Sequence, residues 1–89
     1  MSNSRAQSVL DELCEQVGEH YSRKRFILRG REAETVRNCY YRYWLASGKP
    51  NSRLHKRIAR SVFASRNIHL RILLPALARL SGHNSHAAQ

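Results

Sequence analysis

Four basic residues lie within one short stretch: Arg53, Lys56, Arg57 and Arg60. In a helix of about 3.6 residues per turn, these spacings bring the four side chains onto one face. Leu54, Ile58, Ala59, Val62 and Phe63 fall on the other side, and no Asp or Glu occurs between Asn51 and Arg66. Such a helix packs one face on a core and holds out a cationic face with nothing beside it to neutralise it. The chemistry open to that face is ionic. Guanidinium forks match phosphate oxygens and the acceptor edge of guanine. Neutralising several phosphates releases condensed counterions, so binding would be tight at low salt and weaken steeply as salt rises.

The placement of charge says more than its total. The 89 residues carry 16 Lys and Arg against 6 Asp and Glu, for a net charge of +10. All six acids (Asp11, Glu12, Glu15, Glu19, Glu32, Glu34) lie in residues 1–34. Six bases (Arg5, Arg23, Lys24, Arg25, Arg29, Arg31) lie there too, so residues 1–34 sum to zero and residues 35–89 hold the whole +10. A split of this kind points to a polyanionic partner: nucleic acid, an anionic membrane, or an acidic protein. Arg37, Arg42 and Lys49 would support the stripe as phosphate contacts, and Arg23, Lys24 and Arg25 would form a second patch.

A second cluster is Tyr40-Tyr41-Arg42-Tyr43-Trp44. Aromatics interleaved with bases can stack on unpaired nucleobases. The spacing of Tyr40, Tyr43 and Trp44 instead places them on a core face. Tyr41 falls off that face and is the aromatic expected to be exposed, free to stack on a base or to pack in a dimer interface.

Other chemistries find little support. Cys14, Cys39 and five His residues are present, but there is no C-x-x-C, and His83-x-x-His86 stands alone near the end; no metal site is expected. Residues 35–89 contain no carboxylate, and Glu32 and Glu34 point to different faces of a helix. With no nucleophile-elbow or phosphate-cradling motif either, neither an enzyme nor a cofactor is expected. The two cysteines read as small buried residues, which suits a reducing cytoplasm. No signal peptide is evident, and the most apolar stretch, Ile68–Leu80, is too short and too charged to span a membrane.

The elements that must position these residues read as an all-α, compact bundle of three to four helices. Ala6, Val9, Leu10, Leu13, Cys14, Val17 and Tyr21 recur at helical spacing behind Ser4, a candidate N-cap. That first helix ends or bends at Gly18 or runs on to about Leu28, and Arg29–Gly30 reads as a helix stop or tight turn. A second helix is predicted over 31–47, stopped by Gly48 and Pro50, and a third over 52–66, capped by Asn51 or Ser52. The pair 31–47 and 52–66 has the outline of a helix-turn-helix. Residues 67–82 fit either a helix kinked at Pro75 or a strand followed by a helix, with the kinked or broken helix favoured. The predicted domain is 1–82, followed by a disordered polar tail at 83–89.

The function expected is a small basic nucleic-acid-binding protein, DNA before RNA. Its most concrete form is a DNA-binding regulator acting as a homodimer joined through the first helix or the leucine-rich end. The alternatives are an RNA-binding protein and a protein-interaction module for an acidic partner.

Overall fold

The computed structural model describes the backbone of residues 4–87 and the side chains of 4–82. The chain forms α1 (Ser4–Ser22), β1 (Ile27–Leu28), α2 (Gly30–Ala46), α3 (Arg53–Phe63), β2 (Ile68–His69) and α4 (Leu70–Ala87). It is an all-α bundle of four helices with one small two-stranded sheet. Each half is a helix, a short strand and a helix, a repetition with no counterpart in the residues. The strands pair antiparallel, Ile27 opposite His69 and Leu28 opposite Ile68. The Leu70 N–H extends the ladder to the Phe26 carbonyl at 2.8 Å. Leu28 and Ile68 point inward and are fully buried, while Ile27 and His69 point out, as a strand's two-residue period requires.

The core is built from one stripe of each helix. α1 contributes Ala6, Val9, Leu10, Leu13 and Val17, and α2 contributes Ala33, Val36, Cys39, Tyr40 and Tyr43. α3 contributes Ile58 and Val62, and α4 contributes Leu70, Leu73, Ala76, Leu77 and Leu80. Both faces that the sequence offered for a dimer are therefore internal: the apolar stripe of α1 and the leucines of α4 pack on each other, α1 also on α2 and α4 also on α3.

Several boundaries differ from expectation. α1 runs through Gly18 to Ser22 and is ended by Lys24, not by Arg29–Gly30. The Arg25 N–H bonds the His20 carbonyl and the Lys24 N–H bonds that of Tyr21, each at 2.9 Å, with Lys24 at φ 61°. This is the Schellman closure, with lysine in the left-handed position that glycine usually fills. α2 ends in the same closure with the usual residue: Lys49 N–H to Trp44 O, Gly48 N–H to Leu45 O, and Gly48 at φ 84°. Gly30 opens α2 rather than closing α1. Ser4 is helical, not a cap outside the helix. α3 stops at Phe63, short of residue 66.

The last unit combines both expected forms. Ile68–His69 is extended, and α4 starts at Leu70 with Pro75 inside it. α4 passes through Gly82 to Ala87, so Ser81–Gly82 does not end it. The side chains of 83–89, His83 and His86 among them, and the backbone of 88–89 lie outside the described residues. No helix is long and apolar enough to cross a membrane among the described residues.

Candidate functional site

α3 begins with Ser52, whose hydroxyl accepts the His55 N–H at 3.2 Å and meets the His55 Nδ1 at 2.7 Å. Its first turn contains no acid; Arg53 and Lys56 stand there instead, with Arg57 just beyond. Cations near a helix N-terminus oppose the macrodipole, so the arrangement does not serve the helix itself. Arg53, Lys56, Arg57 and Arg60 are all exposed and share one face. Among the described residues none of the four has an ion-pair partner. The ion pairs lie elsewhere: Glu12 with Arg42 (2.6 Å), Glu19 with Arg23 (3.1 Å), and Glu32 with Arg25 and His20.

α3 is held at both ends by side chains of α2. At its C-terminal end, Arg37 inserts its guanidinium among the last carbonyls. Nε donates to Val62 O, and Nη2 donates to Ser65 O (2.8 Å) and Arg66 O (2.6 Å). Val62 O is an acceptor that a helix end leaves open, Ser65 and Arg66 lie in the connection that follows, and a cation there also suits the dipole. At the N-terminal end, the Tyr40 hydroxyl donates to His55 O at 3.2 Å. The Tyr43 ring stacks on His55 with centroids 6.2 Å apart, and the Trp44 indole N–H donates to Pro50 O at 2.8 Å. The connection from Ser47 to Ser52 is longer than the three or four residues, roughly, that join a helix-turn-helix pair.

The predicted site residues therefore separate into groups. The four stripe residues form one continuous face. Arg37 is half-buried and committed to the end of α3, so its guanidinium positions the basic helix instead of standing free for a phosphate. Arg42 is bridged to Glu12 across α1 and α2, and that pairing holds the Glu12 carboxyl below the usual carboxylate range. Arg23 and Arg25 are ion-paired with Glu19 and Glu32, which leaves Lys24 as the exposed charge without a carboxylate in that patch. Lys49 is exposed, at φ 57°, beside the turn.

Tyr41 is 48% exposed and stacks on Trp44 with centroids 5.9 Å apart and planes at 30°. The sequence placed Phe63 on the core side of α3, yet it is 49% exposed and packs its ring against Tyr40 at 6.1 Å. Its position explains this: Phe63 lies about 140° around the helix from Ile58, the centre of the buried face. Between α2 and α3 these rings line an apolar groove of about 440 Å³ with Lys56 on its rim.

Neither cysteine is in a disulfide. Burial pushes the Cys39 thiol up to about 11, and Cys14 is a free thiol packed against the core. No group of three or more His, Cys, Asp and Glu comes together to hold a metal among the described residues.

Fold and surface together define a small four-helix domain that presents one uncompensated basic helix face. Comparison with protein-family models, with curated proteins and with solved structures gives no match in any of the three.

Proposed function

We propose that this protein binds nucleic acid, with the exposed face of α3 lying along the phosphate backbone. One observation carries the reading: four adjacent bases on a helix anchored at both ends, with no acid partner among the described residues, whose ion pairs all lie in α1, α2 and the connection between them. A rigid cationic face of this kind fits a regular phosphate array and gains affinity from counterion release. The concrete form we favour is a cytoplasmic DNA-binding regulator. A homodimer would have to use apolar surface outside the core, such as Tyr21, Ile27 and Ile72 near the strands.

The test is a salt titration of binding to random-sequence DNA and RNA. Micromolar affinity at about 50 mM salt, falling about 100-fold by about 200 mM, is the result expected for four phosphate contacts. Absence of micromolar binding to either polymer at low salt would overturn the reading.

A further inference from the structure

Phosphate contact by α3 leaves unexplained the apolar groove beside it. Tyr41, Trp44, Pro50, Ala59 and Phe63 line this groove, and Lys56 forms its rim. At about 100° per residue, Phe63 lies about 20° around α3 from Lys56 and about 60° from Arg60. The exposed rings and the cationic stripe are thus neighbours on a single surface. An occupant of the groove must present a flat apolar face to the rings and negative charge to Lys56, Arg53 and Arg60.

We propose that the groove takes an unpaired nucleobase of a single strand, whose flanking phosphates lie on the α3 stripe. This rests on the nucleic-acid reading above and adds to it the form of the ligand. Three observations carry it. Exposed rings already make aromatic contacts here, Tyr41 stacked on Trp44 and Phe63 tilted against the buried Tyr40, and a nucleobase offers the same kind of π-face. The lining is mainly aromatic, with Pro50 and Ala59 as its small aliphatic members, whereas grooves that receive amphipathic helices are typically lined by larger aliphatic side chains and methionine. The stripe alongside contains no acid, which matches a strand carrying one charge per nucleotide. In a duplex the base faces are covered by their neighbours, so only unpaired nucleotides can enter.

Trp44 is the single tryptophan of the chain and reports on the groove directly. Its fluorescence is followed at about 50 mM salt during titration with a single-stranded DNA or RNA 12-mer, the matching duplex, and the single strand carrying abasic sites. The single strand is expected to quench Trp44 and to bind about tenfold or more tighter than the duplex or the abasic strand. Tyr41→Ala and Phe63→Ala each lower single-strand affinity about tenfold and leave duplex binding and the circular dichroism spectrum unchanged. Equal affinity for the three ligands, with an unresponsive Trp44 and a steep salt dependence, overturns the stacking site and leaves the phosphate reading standing. Absence of binding to all three overturns both. A Trp44 change that follows protein concentration alone assigns the groove to a second copy of the chain and overturns the base-stacking site. Quenching by an acidic amphipathic peptide but not by the single strand also overturns it.

Discussion

α1 and α3 are both amphipathic helices that bury one stripe in the same core, and they differ in what happens to the other face. The exposed face of α1 is acidic, with Asp11, Glu12, Glu15 and Glu19, and two of these meet arginines: Glu12 with Arg42 of α2 and Glu19 with Arg23. The exposed face of α3 is basic and meets no acid among the described residues. Of the acids of α1, Glu12 joins α1 to α2, while Glu19 pairs within the end of α1. The stripe bases of α3 make no such pair among the described residues; α3 is secured by neutral and cationic groups of α2 acting on its backbone. Two helices with similar patterns thus separate by where their charges find partners. A charged face that the fold leaves unpartnered is the surface with chemistry to spare.

The strongest way to break this comparison is to remove the clamp on α3. Arg37→Ala leaves the carbonyls of Val62, Ser65 and Arg66 without their donor. Charge-assisted hydrogen bonds at a half-buried site contribute enough that a loss of about 2–3 kcal/mol is expected, a melting temperature lower by about 10–15 °C. Thermal and denaturant unfolding measure it. Unchanged stability would mean that α3 is not held by α2 in this way.

Next in size is an effect on binding with almost none on folding. Replacing Arg53, Lys56, Arg57 and Arg60 together by Gln should lower affinity for nucleic acid about 100-fold at about 50 mM salt and flatten the salt slope by about 3–4. Stability should hold or rise by a few tenths of a kcal/mol, roughly, because cations leave the wrong end of the helix dipole. Loss of folding in this variant would show that the stripe is structural and remove the contrast with α1.

How far the sequence shows this arrangement depends on how local each interaction is. The core stripes of α1 and α2, the cap at Ser52 and the shared face of the four bases follow from spacings of three and four residues, so they are legible. The clamp is not: Arg37 reaches carbonyls 25 to 29 residues away, and an arginine in a basic half reads as one more phosphate contact. The strands are not legible either. Two-residue segments set no period, and their pairing joins Ile27 to His69 across two helices. Phe63 was misplaced because an amphipathic boundary is broad and an aromatic at its edge packs with either side. For Arg23 and Arg25, nearby acids in sequence were the available signal, since Glu19 lies one turn before Arg23 and Glu32 just beyond Arg25.

Acidification probes the paired side of the comparison. The carboxyl of Glu12 is held below its usual range by the hydrogen bond and charge of Arg42. The unfolded chain therefore takes up this proton first, at about pH 4.3, and the contribution of the pair is present above that pH. It is lost as pH falls through the lower folded value. Glu12→Gln should make the stability profile shallower below about pH 4.3, by less than the Arg37 effect, because the pair is solvent-exposed. α3 carries no carboxylate, so its stripe should stay charged through the same window and oligonucleotide binding should not fall with the mutation.

The smallest effect separates the two helix ends that share one closure. Lys24 and Gly48 occupy the same left-handed position, at φ 61° and 84°, after α1 and after α2. A Cβ on Gly48 would meet nothing within 4 Å, so Gly48→Ala is penalised by backbone conformation alone, by about 1 kcal/mol. Lys24 already bears that penalty. Lys24→Gly relieves it and loses part of the gain to the greater freedom of glycine in the unfolded chain, for a net stabilisation of less than about 1 kcal/mol. The two substitutions should therefore shift the melting temperature in opposite directions. Lys24→Gly also removes the charge in the 23–25 patch that lacks a carboxylate, so it tests that patch independently of α3. Unchanged oligonucleotide affinity confines the interface to the α3 half. A drop comparable to that from one stripe residue would extend the interface to the end of α1 and weaken the division between a partnered half and an open one.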